Sequence, residues 1–349
     1  MKPDPLAGKI PVTLITGFLG SGKTTLISRL LKHPSMGRVA VVINEIGEIG
    51  IDDDLVRMST ENVRLLANGC LCCSVRTDLQ ETLRALFGER RAGQIADFDR
   101  VMIETTGMAD PAPVIQTLLS DTMLAAHYRL DGVITLVDAV NALSQLEEFR
   151  EAEQQIALAD RIFITKCDLS DDLRVSDVRG SIVAINPRAD VRTCSMGELH
   201  PDDLTGIGLQ SARASATTLR FLGELGKGSD DADAHRRLYM PGAPARPRHD
   251  PAVRTLSLHF DVPFTWDTFS AALELVISLR GKDLLRVKGI INVEGKPVVI
   301  QGVGHVFHPP VPLDRWPSDD QRSRLVFITR NIEADNLRAL FAAVGAMRS

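Results

Sequence analysis

Two short runs of this 349-residue chain hold most of its chemistry. The first is Gly17-Phe18-Leu19-Gly20-Ser21-Gly22-Lys23-Thr24, followed by Thr25. Ile10–Ile15 ahead of it reads as a buried strand, and the apolar run Leu26–Leu31 behind it reads as the start of a helix. A phosphate-binding loop needs that strand–loop–helix context. Its glycines let successive backbone N–H groups turn inward, where they and the positive end of the helix receive phosphates. Lys23 reaches the β- and γ-phosphates, and the Thr24 hydroxyl offers Mg²⁺ a hard oxygen ligand. The second run is Cys70-Leu71-Cys72-Cys73, three soft donors in four positions. Adjacent thiolates in a turn converge on one soft or borderline cation. Zn²⁺ takes cysteine ligands tetrahedrally and needs a fourth donor, while ligand type alone leaves Cu⁺ and Co²⁺ open. Cys70 and Cys73 also have redox spacing, and free cysteines are often simply buried; the extra Cys72 favours metal.

Further residues complete the pattern. Glu104-Thr105-Thr106-Gly107 follows the apolar strand Arg100–Ile103. A carboxylate at such a strand tip supports Mg²⁺ through water or orients the attacking water, so Lys23 and Glu104 are the expected catalytic pair. Gly107 allows the backbone to approach the γ-phosphate. Arg161–Asp168 reads as a strand with a polar tip, Thr165-Lys166-Cys167-Asp168, similar to the guanine-reading Asn-Lys-x-Asp motif with Thr165 in the place of Asn. An Asp accepts from N1–H and the 2-amino group of guanine; adenine lacks that amino group and leaves the carboxylate poorly paired. Asp168 therefore carries the discrimination, and Cys167 reads as a bystander. The acidic, glycine-punctuated segment Asn44–Asp54 follows the strand Arg38–Ile43. Its Glu45 could supply the fourth transition-metal ligand or join the Mg²⁺ site, with Glu48 and Asp52 weaker candidates.

These residues need a scaffold that gathers strand ends. Residues 8 to about 215 alternate apolar strands, near 10–15, 39–43, 101–104, 132–137, 161–165 and 182–185, with helical patterns such as Arg76–Phe87 and Asn141–Ala159. That alternation predicts a mostly parallel sheet covered on both faces, with ligands at the carboxyl ends of its strands. The expected class is α/β: a P-loop NTPase domain at 8–222, a polar Gly/Pro-rich linker at 223–251, and a smaller α+β domain at 252–347. In the last, Val253–Asp261 reads as a strand and Trp266–Leu279 as a helix. Leu284–Val293 and Pro297–Val303 read as a hairpin about Glu294-Gly295-Lys296, Leu325–Thr329 as a strand, and Ala334–Val344 as a closing helix. His305 and His308, three apart on a strand, would face opposite sides and are read as structural. Trp266 and Trp316 are read as core or interface anchors.

Composition excludes several classes. A net charge of −5 argues against nucleic-acid binding through phosphate neutralisation. No apolar run reaches the ~18 residues that suggest a membrane span, and Met1–Lys9 lacks the apolar core of a secretory signal. The expected compartment is the reducing cytoplasm, where a disulfide framework is not expected.

Taken together, Gly17–Thr25, Asn44-Glu45, Cys70-x-Cys72-Cys73, Glu104–Gly107 and Thr165-Lys166-x-Asp168 resemble the CobW-type GTPases, metallochaperones related to the nickel-delivery GTPases. The resemblance extends to Gly281–Gly289 and Trp316–Arg324, which look like that family's C-terminal domain. It implies a low-turnover GTPase using GTP and Mg²⁺, which binds Zn²⁺ or Co²⁺ at Cys70, Cys72 and Cys73 and passes it to a client metalloprotein. GTP-dependent homodimerisation is a further implication. The family's histidine-rich run is reduced here to His235 and His249 in the linker, which speaks against bulk metal storage.

Overall fold

The computed structural model describes residues 4–36, 38–43, 63–65, 74–194, 199–213, 216–222 and 253–347. Glu45, Glu48, Asp52 and the three motif cysteines lie outside the described residues.

Strand β1 (Ile10–Gly17) is buried along almost its whole length, as befits a strand covered on both faces. It is flanked by β4 (Arg100–Glu104) and β5 (Tyr128–Asp138) in a seven-stranded sheet of order β3-β2-β4-β1-β5-β6-β7, all described pairings parallel. The remaining strands are β2 (Val39–Ile43), β3 (Val63–Leu65), β6 (Arg161–Thr165) and β7 (Asp190–Thr193). The chain leaves β1 to one side for β2–β4 and crosses to the other for β5–β7. The loop after β1 therefore opens where the winding reverses, the place such sheets bind ligands. Register pairs Ile15 with Glu104, Gly17 with Leu136 and Asp138 with Thr165, so the polar strand ends meet at one rim.

The covering helices are α1 (Lys23–Leu31), α2 (Ser74–Arg91), α3 (Ala112–Ser120), α4 (Thr122–His127), α5 (Ala142–Glu148), α6 (Arg150–Leu158), α7 (Asp172–Ile185) and the short α8 (Ala216–Phe221). The single helix expected over 141–159 is two, broken at Phe149, whose ring packs against Phe18 at 4.8 Å. The strand expected at 182–185 is the last turn of α7. Asp171 caps that helix through Arg174 N–H, and Val178, Ser181, Ile182 and Ile185 are buried at helical spacing. The strand in that part of the chain is β7, whose alternating Asp190 and Arg192 hide it from an apolar pattern.

The second sheet is antiparallel and six-stranded, in the order β11-β10-β9-β13-β8 with β12 also on β10. Its strands are β8 (Val253–Phe260), β9 (Leu284–Val293), β10 (Lys296–Val303), β11 (Val306–Phe307), β12 (Val311–Pro312) and β13 (Ser323–Arg330). The β9–β10 hairpin turns on Glu294 and Gly295 with φ of 50° and 86°, the positive pair that the strand twist favours. Helices α9 (Trp266–Arg280) and α10 (Ala334–Met347) close the sheet over a core that includes Phe264, Phe269, Phe327 and Phe341. Trp316 half-buries in a cluster with Leu209, Phe221 and Ile290. Trp266, by contrast, opens α9 at 41 % exposure, its ring 6.1 Å from that of the core residue Phe269. His305 occupies the β10–β11 turn, and His308 follows β11, so the two do not share one strand.

The two sheets meet through α3 and α6. Glu153 of α6 pairs with Arg330 of β13 at 3.0 Å, both side chains buried. Asp160, just after α6, accepts from Arg286 at 2.6 Å and Lys288 at 2.7 Å. Burial alone would raise the Asp160 carboxyl, but these two cations hold it well below the usual carboxylate range. Gln116 of α3 donates to the Val303 carbonyl.

Candidate nucleotide site

The phosphate loop is shaped by local backbone rules. Helix α1 begins at Lys23 because Gly22 takes the N-cap position at φ 95°, a left-handed conformation that costs a residue with a Cβ. Leu26, Ile27 and Leu30 bury the inner face of α1, fixing its N-terminus at the loop. Ser21 N–H donates to the Phe18 carbonyl, closing the turn over Leu19 and Gly20. Lys23 is 8 % exposed, and its Nζ donates to the carbonyls of Gly17 (2.7 Å) and Phe18 (3.2 Å), holding the ammonium inside the loop's curve. Thr24 and Thr25 are exposed on the first turn. The Thr24 hydroxyl donates to Glu104 Oε1 at 3.2 Å, and Glu104 is buried at the tip of β4. Two hard oxygens beside a phosphate loop are a donor set that fits Mg²⁺.

The turn after β4 lies against the loop. Thr105 is tied to β1 by its N–H to Ile15 O and its hydroxyl to Thr16. A Cβ at Gly107 would meet Leu19 N and Cα at 2.8 Å each, so only glycine allows this approach.

The Thr165–Asp168 segment reaches the same rim. Thr165 Oγ1 donates to the Ser21 carbonyl at 2.9 Å, with the Val137 carbonyl also at 3.3 Å. The bond to Ser21 ties this segment to the phosphate loop. Lys166 takes φ 56° and donates from Nζ to Asp138 Oδ2 at 2.8 Å. Burial would raise the Asp138 carboxyl, but bonds from Lys166, Asn141 and the Val140 N–H outweigh it and hold its pKa below the ordinary value. Asp168 is exposed and lines a cavity of ≈ 290 Å³ together with Ser21, Gly22, Thr25, Thr165 and Lys166. Cys167 faces away, its Sγ donating to the Ile164 carbonyl, and burial pushes its thiol up.

Of the nucleotide-site residues expected from sequence, Ser21, Gly22, Thr25, Thr165, Lys166 and Asp168 line one cavity. Gly17, Gly20, Lys23 and Thr24 belong to the adjoining glycine loop and first turn of α1, and Glu104 and Gly107 meet that loop through Thr24 and Leu19. Sequence reasoning missed Arg29, Cys194 and Leu199 on the cavity wall, and Asp138 behind Lys166. Recognising β7 would have exposed Cys194, the residue after its last position. Glu45, Cys70, Cys72 and Cys73 cannot be placed against this site. Among the described residues no group of three His, Cys, Asp or Glu side chains could hold a metal ion, and no helix is long and apolar enough to cross a membrane.

A twisted parallel sheet, a glycine loop entering a helix and a base-side strand tip define a P-loop NTPase domain, here followed by a smaller α+β domain. Residues 11–193 match the model of the "CobW/HypB/UreG, nucleotide-binding domain", and residues 253–345 that of the "Cobalamin synthesis protein cobW C-terminal domain". The chain belongs to the CobW/HypB/UreG family. It is 34 % identical over 340 residues to the zinc chaperone YjiA of Escherichia coli, covering 96 % of this chain and 98 % of YjiA. It is 30 % identical to the zinc-regulated GTPase metalloprotein activator 1 of Schizosaccharomyces pombe, covering 94 % and 84 % of the two chains. The crystal structure of Zn(II)-bound YjiA GTPase superposes with a TM-score of 0.69 at 30 % identity, over 96 % of this chain and 99 % of that one. A Zn(II)-bound YjiA variant with one glutamate and two cysteines replaced by alanine gives 0.70 at 29 % identity.

Proposed function

We propose that this protein is a GTP-hydrolysing metallochaperone that carries a transition-metal ion and hands it to a client metalloprotein under nucleotide control. The observation that carries the nucleotide half is the ≈ 290 Å³ cavity in which phosphate-loop and base-loop residues face one another. Gly17–Thr25 receives the phosphates, with Lys23 at the β/γ end. Thr24 and Glu104 would hold Mg²⁺, which supplies neutralising charge to the phosphates when bound. Asp168 reads guanine. The domain limits that accompany this reading are 8–222 for the nucleotide domain, 223–251 for the linker and 252–347 for the C-terminal domain.

The test of base reading is nucleotide affinity. Wild-type protein should favour GTP over ATP. Asp168→Asn should lose roughly 10–100-fold in GTP affinity, the scale of a charged hydrogen-bond pair, and gain affinity for xanthosine triphosphate, whose 2-carbonyl needs a donor. Equal GTP and ATP affinities in wild type would sink the guanine assignment.

The metal half rests on Cys70, Cys72 and Cys73 with Glu45; the names of the relatives support Zn²⁺ as cargo, and Co²⁺ is the alternative that the resemblance implies. Nucleotide coupling between sites is typically about 1–3 kcal/mol, whereas zinc-finger peptides bind zinc with about 10–16 kcal/mol. Hydrolysis therefore does not expel zinc into water; GTP controls docking, and the ion passes by ligand exchange to the client. Titration of reduced protein against a competing chelator should show one tight equivalent that Cys72→Ala removes. Stoichiometry is the decisive readout, because the YjiA variant without two cysteines is still Zn(II)-bound. Unchanged tight stoichiometry in Cys72→Ala would refute the cysteine site.

A further inference from the structure

Gln155 lies on α6, away from every motif, yet it is 1 % exposed and carries a side chain that must be satisfied in the interior. Its Nε2 donates to two carbonyls of the turn after β4, Gly107 O at 3.1 Å and Ala109 O at 3.0 Å. The same turn is closed by Ala109 N–H to Thr106 O, and its Gly107 backbone rests directly on Leu19 of the phosphate loop. The helix itself is anchored to the central sheet, because Thr135 of β5 donates to the backbone carbonyl of Gln155 at 2.8 Å.

The consequence follows from peptide geometry. A trans peptide places its N–H opposite its C=O. Drawing the Gly107 carbonyl toward α6 therefore turns the Met108 N–H away from α6. It also keeps electronegative carbonyl oxygens from rotating toward a terminal phosphate, where they would repel it. The geometry points to Gln155 as a positioning residue for GTP: its carboxamide fixes the peptide planes of the 106–109 turn so that this turn presents N–H groups to the γ-phosphate. This assignment rests on the GTPase reading and deepens it. GDP has no γ-phosphate, so the orientation matters for the triphosphate and not for the diphosphate.

The experiment uses the full chain with Gln155→Met, which keeps length, volume and helix propensity while removing the donor, and Gln155→Ala beside it. Affinities for a fluorescent GDP and a fluorescent non-hydrolysable GTP analogue are measured, together with single-turnover GTP hydrolysis. Both variants should hold GDP within about twofold of wild type and lose roughly tenfold or more in analogue affinity or hydrolysis, the scale of a small misplacement at a reacting group. Equal losses for GDP and analogue, or no loss for either, would overturn the positioning role. Wild-type protein that neither prefers the triphosphate nor hydrolyses it would overturn the GTPase reading instead.

Discussion

Single atoms decide how close the two phosphate-side loops can come. The Gly107 backbone sits on Leu19 so closely that a Cβ would overlap Leu19 N and Cα, main-chain atoms that cannot swing aside. Gly107→Ala should therefore push the turn off the phosphate loop. The expected result is a loss of roughly tenfold or more in GTP-analogue affinity, as for a misplaced positioning group, with little change in melting temperature because the turn edge carries Met108 at 52 % exposure. Isothermal titration and a thermal melt check both halves. The Thr165 result belongs to this scale too. Sequence places Thr165 where the guanine-reading motif has Asn, and the fold shows its hydroxyl donating to the Ser21 carbonyl, a bond that joins the two loops.

At the scale of elements, α6 joins the nucleotide-side turn to the second sheet. It holds the 106–109 turn through Gln155, and the C-terminal sheet through Glu153 and through its Leu158 carbonyl, which accepts from Arg286. Breaking the Glu153–Arg330 pair by Arg330→Met leaves a carboxylate buried opposite a thioether, a change that costs about 3–5 kcal/mol. Urea unfolding should show that loss. The double variant with Glu153→Gln should recover most of it, because it neutralises the buried carboxylate; a double variant as unstable as the single one would show that the charge is not the cause. Neither partner was legible in sequence. Glu153 sits within a polar run and Arg330 ends a strand, and 177 positions separate them. By contrast, α1, β1 and β4 were readable, since the glycine loop between β1 and α1 and the polar turn after β4 mark where each apolar run must start or stop. The element misread, 182–185, is apolar under both periodicities, and only burial of Val178, Ser181, Ile182 and Ile185 on one face selects the helix.

At the scale of the whole molecule, His308 and Asp160 link stability to acid pH. His308 follows β11, half-buried, with its Nε2 out of solvent and without a hydrogen-bond partner among the described residues. Burial first, then the nearby Lys9 and Arg286 charges, pushes its pKa down to about 4. The unfolded chain, with an ordinary His, binds the proton more readily between pH 6.5 and 4, so stability rises with pH across that window and is lost as pH falls through it. Asp160 acts in the same direction at lower pH, because its depressed carboxyl contributes stability that disappears on protonation. Wild-type protein should lose roughly 3 kcal/mol between pH 6.5 and 4 through His308, and His308→Leu should flatten that part of the curve; chemical unfolding at several pH values measures both. An unchanged slope would remove His308 from the account. The sequence by itself determined the phosphate loop, the α/β class and the family, because each is written in contiguous residues whose spacing obeys local backbone and solvation rules. Only the tertiary structure decided that Thr165 ties loops together, that Gln155 holds the Gly107 turn, and that Arg330 and Arg286 lock the second sheet onto α6. Those contacts join positions far apart in the chain, and a buried polar group finds its partner through folding in three dimensions, which no local pattern records.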